Sequence, residues 1–149
     1  MTERVYNLLN GPRLTRQLIR AKKEKREALI SSLTSGCIRY DKPAVQVSPG
    51  DRIADVMAEV DEIDRAIQSF YRMLDSRELL LKAYCQSLKP QQARVIRMYY
   101  LGKSTTWTDV SSAMRISRRK AIELRDNAVD QLEDYMRELY DAEKNEKNA

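Results

Sequence analysis

The chain has 149 residues, of which 42% are hydrophobic and 33% are charged, so it can bury one or two small cores beneath a mostly ionic surface. Histidine is absent, and the two cysteines, Cys37 and Cys85, show no metal-ligand spacing, which excludes histidine bases and the commonest zinc sites. Because four glycines and four prolines are few for a turn-rich β fold, we expect an all-α protein. Since no cluster of titratable residues has catalytic spacing, we also expect no metal, no cofactor and no catalytic residues.

The net charge of +5 is unevenly distributed along the chain. Residues 90–125 carry eight basic and two acidic side chains, whereas residues 126–149 carry three basic and eight acidic ones. A basic segment followed by an acidic tail indicates an anionic partner, and double-stranded DNA fits best. No apolar run is long enough to span a bilayer and no signal peptide is visible, so we expect no membrane partner.

The first long element is a predicted helix over residues 14–33, which follows a break at Gly11-Pro12. One side of this helix is apolar and carries Leu14, Leu18, Ala21, Ala28, Leu29 and Leu33. The other side is basic and carries Arg13, Arg16, Arg20, Lys22, Lys23, Lys25 and Arg26. A charge run of this kind is usually a solvated face, and the alternative is a sequence-independent contact with DNA phosphates.

Residues 34–50 interrupt the helical pattern and predict a loop, which is punctuated by Gly36, Pro43, Pro49 and Gly50. From Ile53 to Leu74, apolar side chains then recur at alternating intervals of three and four residues, and this heptad seam resumes as far as Leu88. The seam needs an apolar partner. We expect the 14–33 helix to fold back on it in antiparallel orientation, and a homodimer is the alternative.

Lys89-Pro90 separates this hairpin from the rest of the chain, because proline is well suited to the first position of a helix. We therefore predict two domains, an N-terminal helical hairpin over residues 1–88 and a separable unit over residues 89–149. The second domain begins with a helix that ends at Gly102, a plausible stop residue. It closes with an acidic tail that is expected to fray from Asp141.

Residues 107–126, WTDVSSAMRISRRKAIELRD, fit the pattern of a helix-turn-helix. This motif needs a small residue where its helices cross, and Ser111 occupies that position. It also needs five apolar side chains, which are Val110, Met114, Ile116, Ala121 and Leu124. Thr106 and Asp109 predict a capping box before the first helix, and Ser117 predicts an N-cap before the second.

Arg118, Arg119 and Lys120 occupy the first turn of the second predicted helix, where the helix macrodipole is positive. Each cation there is unfavourable by roughly 0.3–1 kcal/mol. A phosphate backbone would reverse this effect, because helix N-termini bind phosphate. The alternative is three solvated charges. We interpret the broken rule as a sign of function, since sequences tend to break local rules at functional sites.

The segment from Leu88 to Leu132 resembles the fourth region of sigma-70 family factors. The matching residues are LKPQQARVIRMYYLGKS, then TDVSSAMRIS, then RRKAIELRDNAVDQL. A heptad helix before such a motif, together with YDKPAVQVSPGDRIADVMAEVDEID, is similar to the ArpU/RinA-type late transcription activators of phages of Gram-positive bacteria. One departure is Arg115, where many such turns have glycine. A non-glycine residue in a left-handed turn costs roughly 1–2 kcal/mol.

The resemblance implies a non-enzymatic, sequence-specific DNA-binding regulator of transcription. It would be a phage or prophage late-gene activator that acts with host RNA polymerase in the bacterial cytoplasm. Two alternatives stay open. A phage small terminase subunit also joins a helix-turn-helix to an oligomerising helix and would bind packaging-site DNA. A sigma-like adaptor would bind RNA polymerase without DNA.

Helical geometry and the resemblance assign base reading to the outward side chains near the start of the second predicted helix, which are Arg118, Arg119, Ile122 and Glu123. Contacts with the DNA backbone are assigned to polar and basic side chains nearby, which are Arg94, Lys103, Ser117, Lys120 and Arg125. Trp107 is expected to pack in the core rather than to stack on a base.

Overall fold

The computed structural model describes residues 1–34, 49–102 and 106–149, and within these ranges the chain forms helices and no strand. The α-helices are α1 (Glu3–Thr34), α2 (Pro49–Cys85), α3 (Pro90–Ile96), α4 (Trp107–Met114) and α5 (Arg118–Lys147). α3 continues directly into a π-helical segment, Arg97–Leu101. The predicted all-α class is confirmed, and none of these described helices is long and apolar enough to cross a membrane. The predicted loop over residues 34–50 lies outside the described residues except at its two ends.

The chain divides into two compact units that differ from the predicted domains. The larger unit contains Met1–Leu14 and Leu74–Ala149, and the smaller unit contains Thr15–Met73. α1 and α2 therefore each contribute one segment to either unit. The predicted division into residues 1–88 and 89–149 does not coincide with these units, and the reason lies in how the larger unit builds its core.

One apolar core joins both ends of the sequence in the larger unit. Val5, Leu9 and Leu81 are completely buried, and they pack with side chains that come after Lys89-Pro90. Those later side chains are Ala93, Ile96, Tyr100, Ala128, Val129 and Leu132. The predicted boundary at Lys89-Pro90 thus falls inside a core, because the first turns of α1 and the last turns of α2 cover the apolar stripe of α5.

In the smaller unit, α1 and α2 run antiparallel. Nε of Arg26 lies 2.6 Å from Oδ1 of Asp64, and Nζ of Lys23 lies 5.2 Å from the centroid of the Tyr71 ring. An earlier position in α1 therefore meets a later position in α2, which is the orientation expected for the hairpin. The large apolar side chains buried in this unit are Ile19, Val60, Ile63 and Ile67.

Two helices extend further than the sequence predicts. α1 begins at Glu3 and continues through Gly11-Pro12, where a break is expected, because its first turns are held in the core of the larger unit. This packing outweighs the backbone hydrogen bond that proline removes. α5 reaches Lys147 although fraying is expected from Asp141. Lysines in its last turn lie at the negative end of the helix macrodipole, which favours the helical state there.

The buried faces of the two long helices also differ from the prediction. Leu14 and Leu18 are 41% and 46% exposed, whereas Thr15 and Ile19, one position further along, are buried. At these positions the buried face of α1 is therefore turned by about 100° from the predicted one, which is the rotation of one helical residue. Ile53 belongs to the predicted seam but is 50% exposed.

The completely buried Leu81 and the 71% exposed Leu79 give a matched pair on α2. Leu81→Ala should lower the free energy of unfolding by about 2–5 kcal/mol, because it removes buried methyl groups and leaves a cavity in the larger unit. Leu79→Ala should change it by less than about 0.5 kcal/mol. Urea unfolding followed by circular dichroism measures both changes. Equal effects would contradict the packing of α2 against residues of the predicted second domain.

Candidate nucleic-acid interface

The start of α4 is fixed by its N-cap. Thr106 has an extended backbone, and its hydroxyl oxygen accepts a hydrogen bond from the amide of Asp109 at 3.2 Å. The same hydroxyl donates to the carboxylate of Asp109 at 2.7 Å. The two predicted capping residues are therefore in use. The carboxylate bonds to the hydroxyl of Thr106, whereas a full capping box would bond it to the backbone amide.

α4 ends at a left-handed residue, Arg115, with φ 56° and ψ 41°. It is the one non-glycine residue with positive φ in the described part of the chain. Its amide donates to the carbonyl oxygen of Ser112 at 3.2 Å, and the amide of Ile116 donates to the carbonyl oxygen of Ser111 at 3.1 Å. These bonds satisfy carbonyl groups that end α4. The tight turn therefore forms at the predicted position although glycine is absent.

A small apolar cluster sets the packing of α4 against α5. Its buried members are Val95, Val110, Ala121 and Leu124, and the half-buried side chains around it are Met98, Tyr99, Trp107, Met114 and Ile116. All five apolar positions of the predicted motif belong to this cluster. Ser111, the predicted small residue, is buried, and its hydroxyl donates to the carbonyl oxygen of Thr108 at 2.9 Å. The apolar pattern thus identifies which sides of α4 and α5 face each other.

The first turns of α5 carry most of the predicted interface. The hydroxyl oxygen of Ser117 accepts a hydrogen bond from the amide of Lys120 at 3.1 Å, so Ser117 is the N-cap. Nζ of Lys120 lies 3.5 Å from Oε1 of Glu123 at the surface. Of the predicted base-reading side chains, Arg118, Arg119 and Glu123 are exposed. The fourth, Ile122, is half-buried. One end of one helix therefore brings six of the predicted site residues together.

The other predicted phosphate contacts have separate positions. Arg94 is exposed on α3. Lys103 lies outside the described residues. Arg125 is held within the larger unit, where its side chain is only 26% exposed and its Nε lies 2.6 Å from Oδ1 of Asp126. Arg94 is therefore available at the surface, whereas Arg125 contacts other residues of the protein.

Arg125 belongs to a stacked column, which we define as Arg13, Tyr99, Trp107 and Arg125. The rings of Tyr99 and Trp107 stack with centroids 4.0 Å apart and planes 8° from parallel. Cζ of Arg125 lies 5.3 Å from the centroid of the Trp107 ring, and Cζ of Arg13 lies 5.2 Å from that of Tyr99. Trp107 thus packs within the protein, as expected. The other members of this column come from separate helical segments, so no pattern in the sequence connects them.

The π-helical segment positions the tyrosines of this region. The amide of Gly102 donates to the carbonyl oxygen of Arg97, five residues earlier, at 2.9 Å. A Cβ atom at position 102 would lie 2.5 Å from the carbonyl oxygen of Met98, so this close approach needs glycine. Tyr100 meets the ring of Tyr99 edge-on, with centroids 4.8 Å apart. Glycine at position 102 signals the end of the helix in the sequence, but it does not reveal the wider turn.

Buried groups beside the column have shifted pKa values. Burial raises the pKa of the Tyr100 hydroxyl, and the neighbouring Arg125 lowers it by less. At Arg125, burial lowers the pKa, but a hydrogen bond with Tyr100 and the charge of Asp126 outweigh that effect and raise it above its ordinary value. Tyr100 is therefore protonated and Arg125 charged at neutral pH, and the Tyr100 oxygen can accept a hydrogen bond from the guanidinium.

Cys85 has a structural environment. It is buried in the core of the larger unit, and burial raises the pKa of its thiol while Arg97 opposes this shift. The thiol is thus protonated at neutral pH and packs as a small apolar group. Cys37 lies outside the described residues. Across the ranges that the structure describes, no group of histidine, cysteine, aspartate and glutamate could hold a metal ion.

The basic face of α1 meets carboxylates of α2 in the smaller unit. Arg26 forms its ion pair with Asp64 at 2.6 Å, and both side chains are about two-fifths exposed. A shallow cavity of this unit is lined by two lysines and two glutamates, together with apolar groups: Lys22, Lys25, Glu59 and Glu62. These surroundings favour an internal role for the basic face. The contact with DNA phosphates that the sequence analysis left as an alternative stays a prediction.

No family model, curated protein or solved structure matches this chain. The functional assignment of α4 and α5 therefore depends on their own chemistry. That chemistry consists of a capped helix start, a hydrogen-bonded left-handed turn and a cationic first turn. The resemblance of Leu88–Leu132 to sigma region 4 stays an expectation from the sequence.

The left-handed backbone at Arg115 gives a direct test of the turn. Arg115→Gly should raise the free energy of unfolding by about 0.5–1 kcal/mol, because glycine adopts positive φ without the clash of a Cβ atom. Arg115→Ala serves as the control, since it removes the same side chain but keeps Cβ, and it should give no such gain. Thermal and urea unfolding measure both changes. An equal gain in both variants would attribute the effect to the arginine side chain.

Proposed function

We propose that this protein is a sequence-specific DNA-binding regulator of transcription, a phage or prophage late-gene activator that acts with host RNA polymerase. The observation that carries the proposal is the exposed cationic first turn of α5, which begins at a serine N-cap. α4 and its apolar cluster hold this turn at the surface of the larger unit. A helix presented in this way can enter the major groove with its N-terminal residues against the base edges.

The electrostatics of this turn favour a polyanionic partner. Arg118, Arg119 and Lys120 are exposed at the positive end of the macrodipole of α5, and the first turn contains no acidic residue. Each cation there is unfavourable by roughly 0.3–1 kcal/mol in the protein alone. DNA phosphates close to this turn would interact favourably with the cations and with the helix N-terminus. Binding would therefore remove a repulsion that folding leaves in place.

The side chains around the turn supply the chemistry of base recognition. An arginine pairs with the O6 and N7 atoms of guanine, a glutamate accepts from the amino group of cytosine, and an apolar side chain contacts the thymine methyl group. In this proposal those roles fall to Arg118, Arg119, Glu123 and Ile122. Ser117, Lys120 and Arg94 would hold the backbone, as would Lys103, which lies outside the described residues. These backbone contacts set the register in which the bases are read.

Single substitutions in the turn test this division of roles. A duplex is first selected from a randomised pool with the wild-type protein, and a scrambled duplex of the same composition serves for comparison. Arg118→Ala or Arg119→Ala should cost about 1–3 kcal/mol on the selected duplex and relax discrimination at one base pair. Lys120→Ala should weaken both duplexes alike and reduce the slope of log K against log salt by about 0.9.

Arg137 provides the matched control, because it lies on the same helix with its side chain 71% exposed. Arg137→Ala removes the same charge far from the first turn and should leave discrimination between the duplexes unchanged. Affinities measured at several salt concentrations give all of these quantities. If Arg118→Ala and Arg119→Ala lower both affinities by one common factor, this turn does not read bases.

A phage small terminase subunit is a second candidate, favoured by apolar side chains that the smaller unit leaves exposed. Leu18, Ile53 and Met57 are each between 45% and 50% exposed. Such side chains suit contacts between copies of the chain. The native mass in solution distinguishes the two candidates. A ring of many chains would favour the terminase subunit, whereas a monomer or dimer that activates transcription with added polymerase would favour the regulator.

A further inference from the structure

We propose that Arg125 is a positioning residue, which holds α5 in the orientation for reading DNA and does not itself bind phosphate. Its role in reading DNA rests on the proposed function, whereas its contacts within the larger unit do not. The sequence alone groups Arg125 with the phosphate-binding cations, because it follows the same helix at the edge of the outward face. Its surroundings in the structure separate it from them.

The guanidinium of Arg125 is engaged on three sides. Its Cζ atom lies 5.3 Å from the centroid of the Trp107 ring, at a distance typical of a cation–π contact. Its Nε atom is buried and lies 2.6 Å from Oδ1 of Asp126, an ion pair without the geometry of a hydrogen bond. Its third neighbour is the hydroxyl of Tyr100, which raises the pKa of the guanidinium. A DNA phosphate would have to displace these neighbours to reach the guanidinium.

Exposure distinguishes Arg125 from a cation that is available to DNA. The Arg125 side chain is 26% exposed, whereas the Lys120 side chain in the first turn is 49% exposed. The ion pair of Lys120 with Glu123 is long at 3.5 Å, so this lysine is easily redirected to a phosphate. The two cations therefore occupy different environments on one helix.

The contacts of Arg125 fix the direction of α5. They connect this helix to Trp107 at the start of α4 and to Tyr100 in the π-helical segment. Arg118 lies seven residues earlier on α5, or about 10 Å along the helix axis. A tilt of α5 by about 10° at Arg125 would therefore move Arg118 by roughly 2 Å, well beyond the tolerance of about 0.5 Å expected of a specific site.

Arginine is specifically suited to this position. Its planar guanidinium can stack on an indole ring while its N–H groups bond in the plane to separate acceptors. A lysine keeps the positive charge but cannot make both kinds of contact at once. Arg125→Lys therefore separates phosphate binding from the positioning of α5. It keeps a cation that can bind phosphate, and it removes the planar group that stacks on Trp107.

The test compares Arg125→Lys and Arg125→Gln with Lys120→Gln, which removes an exposed cation from the same helix. If Arg125 positions α5, both Arg125 variants should lose on the order of tenfold in affinity for the selected duplex, as expected when one base contact is misaligned. Both should keep the affinity for the scrambled duplex and the wild-type salt slope. Lys120→Gln should instead reduce the slope by about 0.9 and weaken both duplexes.

Wild-type behaviour of Arg125→Lys, together with a slope reduced by about 0.9 in Arg125→Gln, would make Arg125 a phosphate ligand and overturn the proposal. If an Arg125 variant does not fold, Trp107→Phe replaces it, since phenylalanine offers a weaker face to the guanidinium. It should lose affinity for the selected duplex in the same pattern and to a smaller extent. An unchanged preference for the selected duplex in that variant would also overturn the proposal.

A measurement without DNA separates this proposal from the proposed function. Hydrogen exchange of the α4 amides should be faster in Arg125→Lys than in the wild type, because Trp107 loses the contact that ties it to α5. The same amides in Lys120→Gln should exchange at the wild-type rate. A wild-type protein that binds no duplex refutes DNA recognition. Unchanged exchange in Arg125→Lys refutes the positioning role, whatever the protein binds.

Discussion

The buried stripe of α5 is the constraint on which the larger unit depends. Ala121 and Leu124 pack in the cluster with α4, while Ala128 and Leu132 pack in the core with α1, α2 and α3. Their spacing of three and four residues places them on one side of the helix. A rotation of α5 would thus withdraw apolar groups from both clusters together. The outward direction of Arg118, Arg119 and Lys120 is consequently set by cores to which these three side chains do not contribute.

The cations of α5 lie in two kinds of environment. Those of the first turn are exposed to solvent, whereas Arg125 contacts other side chains of the protein. Arg118 and Arg119 are exposed at the positive end of the helix, without the aromatic ring and hydroxyl that Arg125 contacts two turns later. Placing a charge in a partly buried site is unfavourable unless fixed partners replace water. Arg125 has such partners in Asp126 and Tyr100. Its contacts stabilise the fold, whereas the first-turn cations keep their capacity to meet an external anion.

Local rules predicted much of this chain, and contacts between distant residues account for most of what they missed. The caps at Thr106 and Ser117 and the left-handed residue Arg115 follow from short-range backbone chemistry and lie where the sequence predicts them. The apolar positions around α4 and α5 follow from helical periodicity. The extent of α1 and the pairing of Arg13 with Tyr99 depend on partners far along the chain. No periodic pattern within one helix specifies those partners, so the domain boundary and the stacked column could not be predicted.

The number of cations in a segment does not by itself identify a binding surface. α1 carries more basic side chains than the first turn of α5, and composition alone favours it at least equally. In the smaller unit, however, Arg26 pairs with Asp64, and Lys22 and Lys25 share a cavity with two glutamates. These carboxylates reduce the attraction of this part of α1 for a polyanion, since these three cations have opposite charges nearby. The first turn of α5 contains no acidic residue, and the helix dipole adds to its positive potential. Local compensation of charge, more than its total, therefore makes the first turn of α5 a better site than α1 for the anionic partner that we propose.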